Sequence, residues 1–190
     1  LTEIIRPGVG LIFMKVGTHA QESLPDIIAR KRKEIDDAGY ALWGYGGNTC
    51  HPLTRVQPFA RDFIERDGRI YLCMQPMRSS HFAPPARASE SSADGVNWRP
   101  IPPEINVLGS RYALAIGELR EDAFQLALAA TRVAAGNSRG RRGDEYVTGR
   151  VDKACLVVVD EPLELTADES SVVEIGLVAQ LVDPYAVLLR

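Results

Sequence analysis

Two segments near the front of the chain repeat their apolar residues at helical spacing, and after residue 69 the pattern changes to strand-length runs. In the first segment Leu24, Ile28, Ile35 and Ala38 share one helical face. Ser23 stands as N-cap, Pro25 sits in the first turn, and Asp26 follows Ser23 by three as an acidic variant of the capping box. Gly39 supplies a left-handed stop. In the second segment Val56, Phe59, Ala60, Phe63 and Ile64 fill every position of the helical template, and Asp67-Gly68 ends it.

The strand candidates are residues 9–16, a nearly continuous apolar run that predicts a buried strand, then 40–45, 69–77, 105–108, 112–116 and 154–159. Residues 172–182 and 185–189 follow, split by Asp183-Pro184. Residues 121–130 are rich in Ala and Leu and predict a third helix, with 131–135 suited to a strand. Residues 78–103 form an irregular loop segment in which Asp94-Gly95 predicts a hairpin turn, and Pro100, Pro102 and Pro103 confine any strand there to an edge. Helices gathered near the N-terminus with consecutive strands behind them give an α+β class with a curved, mixed or largely antiparallel sheet. A barrel-like core flanked by helices satisfies the same pattern.

A length of 190 residues fits a single globular domain with a core that needs no staples. A net charge of -3 argues against coating nucleic acid through bulk charge, while leaving room for a local basic site. The three cysteines, Cys50, Cys73 and Cys155, make no CxxC pair and no even-numbered framework, which predicts a reduced, cytoplasmic setting. No apolar run approaches the roughly 18–20 residues of a membrane span, so no membrane association is expected. The opening residues lack the composition of a signal peptide.

The chemistry-bearing stretch is Trp43-Gly44-Tyr45-Gly46-Gly47-Asn48-Thr49-Cys50-His51, placed between the two helices. Glycines admit positive φ and close backbone approach, and Trp43 and Tyr45, two apart on a strand, face one side as an aromatic platform for a base. The plainer alternative is that both rings pack in the core. The second signal is the glycine-arginine loop 136–143 with its sequel. From Arg132 to Lys153 six basic residues (Arg132, Arg139, Arg141, Arg142, Arg150, Lys153) stand against Asp144, Glu145 and Asp152. Arg139, Arg141, Arg142, Arg150 and Lys153 would cradle an anion through guanidinium forks and backbone N–H groups, although the phosphate-loop pattern is absent. A solvated surface loop has the same composition. Ser110 and Arg111 can complete a polar wall. The run Arg30-Lys31-Arg32-Lys33 is expected to be a solvated helix face balanced by Glu34, Asp36 and Asp37.

No recognised metal spacing links His19, His51, His81 and the cysteines, so neither a metal nor a cofactor is expected. No hydrolase, metalloprotease or dinucleotide motif is present. His51 and Glu145 are the acid–base candidates if there is chemistry. These features together predict a domain that binds a phosphate-bearing, base-containing ligand, either a nucleotide or the terminal or flipped nucleotide of a nucleic acid. Two alternatives stand beside it: an enzyme that hydrolyses or transfers a group on such a ligand, and a protein-interaction or structural module. Apolar late strands also suit a homodimer.

Overall fold

A computed structural model describes residues 4–78, 83–148, 151–160 and 171–190. The strands are β1 (Gly10–Val16), β2 (Ala41–Tyr45), β3 (Tyr71–Pro76), β4 (Glu90–Ser92), β5 (Arg99–Pro100), β6 (Tyr112–Ala127), β7 (Thr131–Val133), β8 (Lys153–Val158) and β9 (Val172–Leu189). The helices are α1 (Leu24–Ala38), α2 (Gln57–Asp67) and the single turn α3 (Gly143–Tyr146), with a π-turn at Pro52–Val56 leading into α2. The main sheet runs in the order β2-β6-β9-β3-β1-β8-β7, with the β4–β5 hairpin attached to β9. Among the described residues only β1 and β3 pair in parallel; every other strand pairing is antiparallel. The sheet is mixed, largely antiparallel and open, ending at β2 and β7, so the barrel-like alternative does not describe it.

Successive residues point to opposite faces, and both faces are covered. Ile12, Met14, Trp43, Tyr45, Leu72, Met74, Leu114 and Ile116 share one core with Ile27 of α1 and Phe59 and Phe63 of α2. Leu11, Phe13, Tyr71, Cys73, Phe124, Leu126 and Leu156 build a second core on the other face. Segment 88–107 adds a third over β2 and β6, with Ile101, Ile105 and Val107 against Leu42 and Ala113. Burial on both faces is why β1 is an unbroken apolar run rather than an alternating one.

Both helix caps match their sequence signals. The Ser23 hydroxyl accepts from Asp26 N at 3.3 Å, and Gly39 at φ 83° donates its N–H to Ile35 O. The hairpin at Asp94-Gly95 is also present, joining β4 to β5. The Asp94 carboxylate accepts from Asn97 and Val96 and is held well below the usual carboxylate range.

Three expectations are corrected. Residues 121–127 are strand rather than helix, because β6 continues to Ala127 with Phe124 opposite Ile175 and Leu126 opposite Val173, and only a 3-10 turn at Leu128–Ala130 follows. Pairing along a full strand outweighs the helical propensity of Ala and Leu. Asp183-Pro184 does not divide the tail, since β9 passes through it as a cis peptide. Residues 105–108 are a loop rather than a strand, carrying among the described residues one isolated bridge, between Arg87 and Leu108.

Candidate functional site

A cleft of about 630 Å³ opens where the ends of β1 and β2 meet the start of β8, flanked by α1 and the loops 46–49 and 106–110. Trp43 and Tyr45 form part of its floor and project from the same face of β2, as their spacing requires. They are only 5% and 3% exposed, so the cleft reaches their edges rather than a free ring face. The Tyr45 hydroxyl donates to Cys50 O at 2.6 Å, and burial pushes the phenol well above its usual range. Its role is therefore to close the 46–50 loop.

Lys153 sits on β8 opposite Met14 and brings a cation to the wall. It is 6% exposed, with Nζ 6.0 Å from the Tyr45 ring centroid and 2.6 Å from the exposed carboxylate of Asp152. Beside it lie Gly46, Gly47, Asn48 and Thr49. Among the described residues no hydrogen bond engages the backbone N–H groups of these four. N–H donors that have no partner among the described residues, next to a buried ammonium, have the chemistry of an anion cradle.

The opposite wall is a turn at His19 to Glu22, closed by mutual backbone bonds of 3.0 and 2.9 Å, with Ala20 and Gln21 in left-handed backbone. It presents His19 Nε2 at 3.0 Å from both Ser110 Oγ and Leu108 O. Ser110 Oγ also donates to Leu108 O at 3.0 Å. This trio anchors the 106–110 loop to the turn at His19.

The basic run on α1 divides. Arg32 and Lys33 face solvent, but Lys31 and Glu34 are each 2% exposed. Lys31 Nζ donates to Glu34 Oε2 at 2.9 Å and to Asn106 O at 2.6 Å; Glu34 accepts from Asn106 N, and Arg30 ties Glu22, Glu34 and Asn106 O together. Burial pulls the Lys31 ammonium down to about 8, against the opposing attraction of Glu34. The expected solvated face is thus half buried, because Lys31 and Glu34 lie under the 106–110 loop. Among the described residues the cleft wall carries the cations Lys15, Arg30, Lys31 and Lys153 against the carboxylates Glu22 and Asp152.

The glycine-arginine loop is placed elsewhere. Its N–H groups close the loop on itself: Arg139 N to Gly136 O, Gly140 N to Val133 O and Arg141 N to Ser138 O. Arg139 and Arg141 are exposed, and Arg142 pairs with Asp144 at 2.7 Å and Glu145 at 3.9 Å. None of the three lines the large cleft. Arg111 lies over the Tyr112 ring, 5.4 Å from its centroid. His51 Nδ1 accepts from Leu53 N as a cap of the π-turn. His51 and Glu145 do not meet at the cleft. Arg150 and His81 lie outside the described residues. Of the sequence candidates, Trp43, Tyr45, Ser110 and Lys153 are brought together.

The described residues contain no cluster of ligands for a metal ion, and none of their helices is long and apolar enough to cross a membrane. Comparison with protein-family models, curated proteins and solved structures returned no match.

Proposed function

We propose that this chain binds a phosphate-bearing, base-containing ligand, a nucleotide or a terminal nucleotide, in the cleft beside β1 and β2. The observation that carries the reading is the buried Lys153 ammonium next to the unengaged N–H groups of loop 46–49. A phosphate there meets a cation and several N–H donors, and charge-assisted hydrogen bonds of this kind are stronger than neutral ones. The floor of Met14, Val16, Ile27 and the edges of Trp43 and Tyr45 suits a flat, weakly polar body such as a base. A reduced, cytoplasmic compartment suits the three buried free thiols.

Thermal melting with nucleoside 5′-monophosphates tests the reading. A ligand at about 100 times its dissociation constant adds about 2.7 kcal/mol, which is several degrees for a domain of this size. Wild type is expected to show the shift, Lys153→Met to lose most of it, and Arg99→Ala on β5 to keep it. A Lys153→Met protein that melts normally and responds like wild type contradicts the proposal. Turnover of the nucleotide in the same samples would instead favour an enzyme.

A further inference from the structure

A second, smaller pocket of about 160 Å³ adjoins the cleft, and Asn48 and Thr49 line both. Arg55 of the π-turn reaches into it, with Ser138 and Tyr146 on the far side. Arg55 is half-buried, yet among the described residues no carboxylate pairs with it, and its guanidinium makes one long bond, 3.3 Å to Thr54 O. The glycine-arginine loop lies directly on this guanidinium. A Cβ at Gly136 would come 2.5 Å from Arg55 Nε, and the φ of +83° at that residue disfavours any side chain. Burial holds the Tyr146 phenol above its usual range, while Arg55 and Arg141 act on it in the opposite sense.

We infer that this pocket is a second anion site, built on Arg55 and roofed by the Gly136 loop, and that the ligand carries a second phosphate on this side of Asn48 and Thr49. The guanidinium offers its fork to two phosphate oxygens, and the Ser138 and Tyr146 hydroxyls can donate to a third. The ligand class becomes a nucleotide phosphorylated at two separate positions. That class rests on the cleft reading above; the anion site itself does not.

Titration calorimetry with a nucleoside 3′,5′-bisphosphate and the two corresponding monophosphates tests it. Wild type is expected to bind the bisphosphate about tenfold or more tightly than either monophosphate, the scale of one charge-assisted contact. Arg55→Gln should weaken the bisphosphate about tenfold and so erase that preference. Arg55→Lys, which keeps the charge and loses the fork, should fall between and serves if the glutamine variant does not fold. Equal wild-type affinities, or a preference unchanged in the variants, overturn the inference and leave the cleft reading standing. If no nucleotide binds, the cleft reading fails, and inorganic phosphate decides the site. Thermal protection by phosphate that wild type shows and the Arg55 variants lack supports it; equal protection, or none, overturns it.

Discussion

Gly44 shows how far the site depends on a single missing atom. It lies on β2 between the two aromatic residues, and a Cβ there would overlap Ser110 Oγ and come within 2.9 Å of Ser110 Cβ and Val107 Cγ1. The 106–110 loop can close over the strand only because that space is empty. Gly44→Ala is therefore expected to destabilise by about 1–3 kcal/mol, the usual cost of overpacking, with partial recovery when Ser110→Ala is added. Urea unfolding of both variants measures this, and an unchanged midpoint in Gly44→Ala would show that the loop does not pack as described. The glycines of this stretch were legible in the sequence as points of close backbone approach. What Gly44 admits was not, because Ser110 is 66 positions away along the chain. Lys153 was legible only as a member of a basic stretch. Its neighbours Gly46 and Gly47 come from a different loop, and Arg139, Arg141 and Arg142 do not line the cleft.

At the scale of elements, α1 carries the clearest missed signal. Its apolar stripe runs Leu24, Ile28, Ile35, Ala38 and leaves a gap that Lys31 fills, three after Ile28 and four before Ile35. A lysine on the buried stripe marks a helix whose polar partner arrives from elsewhere, here Glu34 and the Asn106 carbonyl. Below about pH 8 Lys31 is protonated in both folded and unfolded chains, and the cost of burying its charge is carried in full. Between about 8 and the ordinary 10.5 the folded state has released the proton while the unfolded chain keeps it, so stability contributed by Lys31 rises with pH. Wild type should thus gain on Lys31→Met by roughly 1–3 kcal/mol between about pH 7 and pH 10, read by urea unfolding of both proteins. The comparison with the variant removes other groups such as Cys73, whose thiol is pushed up to about 12 by burial and acts in the opposite sense. A wild type that loses ground to the variant over that range contradicts the buried geometry. Strand β6 gives the converse lesson. Phe124, Leu126 and Leu128 alternate visibly, yet the Ala-rich composition reads as helix, and only the facing strand β9 decides between them.

Over the whole molecule, the α+β class and the largely antiparallel sheet follow from where helical periodicity ends, and they were legible without coordinates. The open order of the sheet was not, because closure depends on which strands lie at its ends. The cleft draws its walls from β1, α1, the 46–49 and 106–110 loops and the start of β8, segments far apart in the chain that the sheet brings to one end. A stretch with its own signature, such as residues 43–47, could be picked out alone. Residues whose part depends on meeting a distant loop, such as Arg30, Lys31, His19 and Asn106, could not.

The most direct measurement is a backbone amide chemical-shift titration of the isotope-labelled protein with a nucleoside 5′-monophosphate. The account predicts that the amides of Gly46, Gly47, Asn48 and Thr49 move most, with the Trp43 indole following and all saturating at one dissociation constant. Still amides in that loop, with changes absent or confined to residues 139–142, would contradict the cleft as the ligand site.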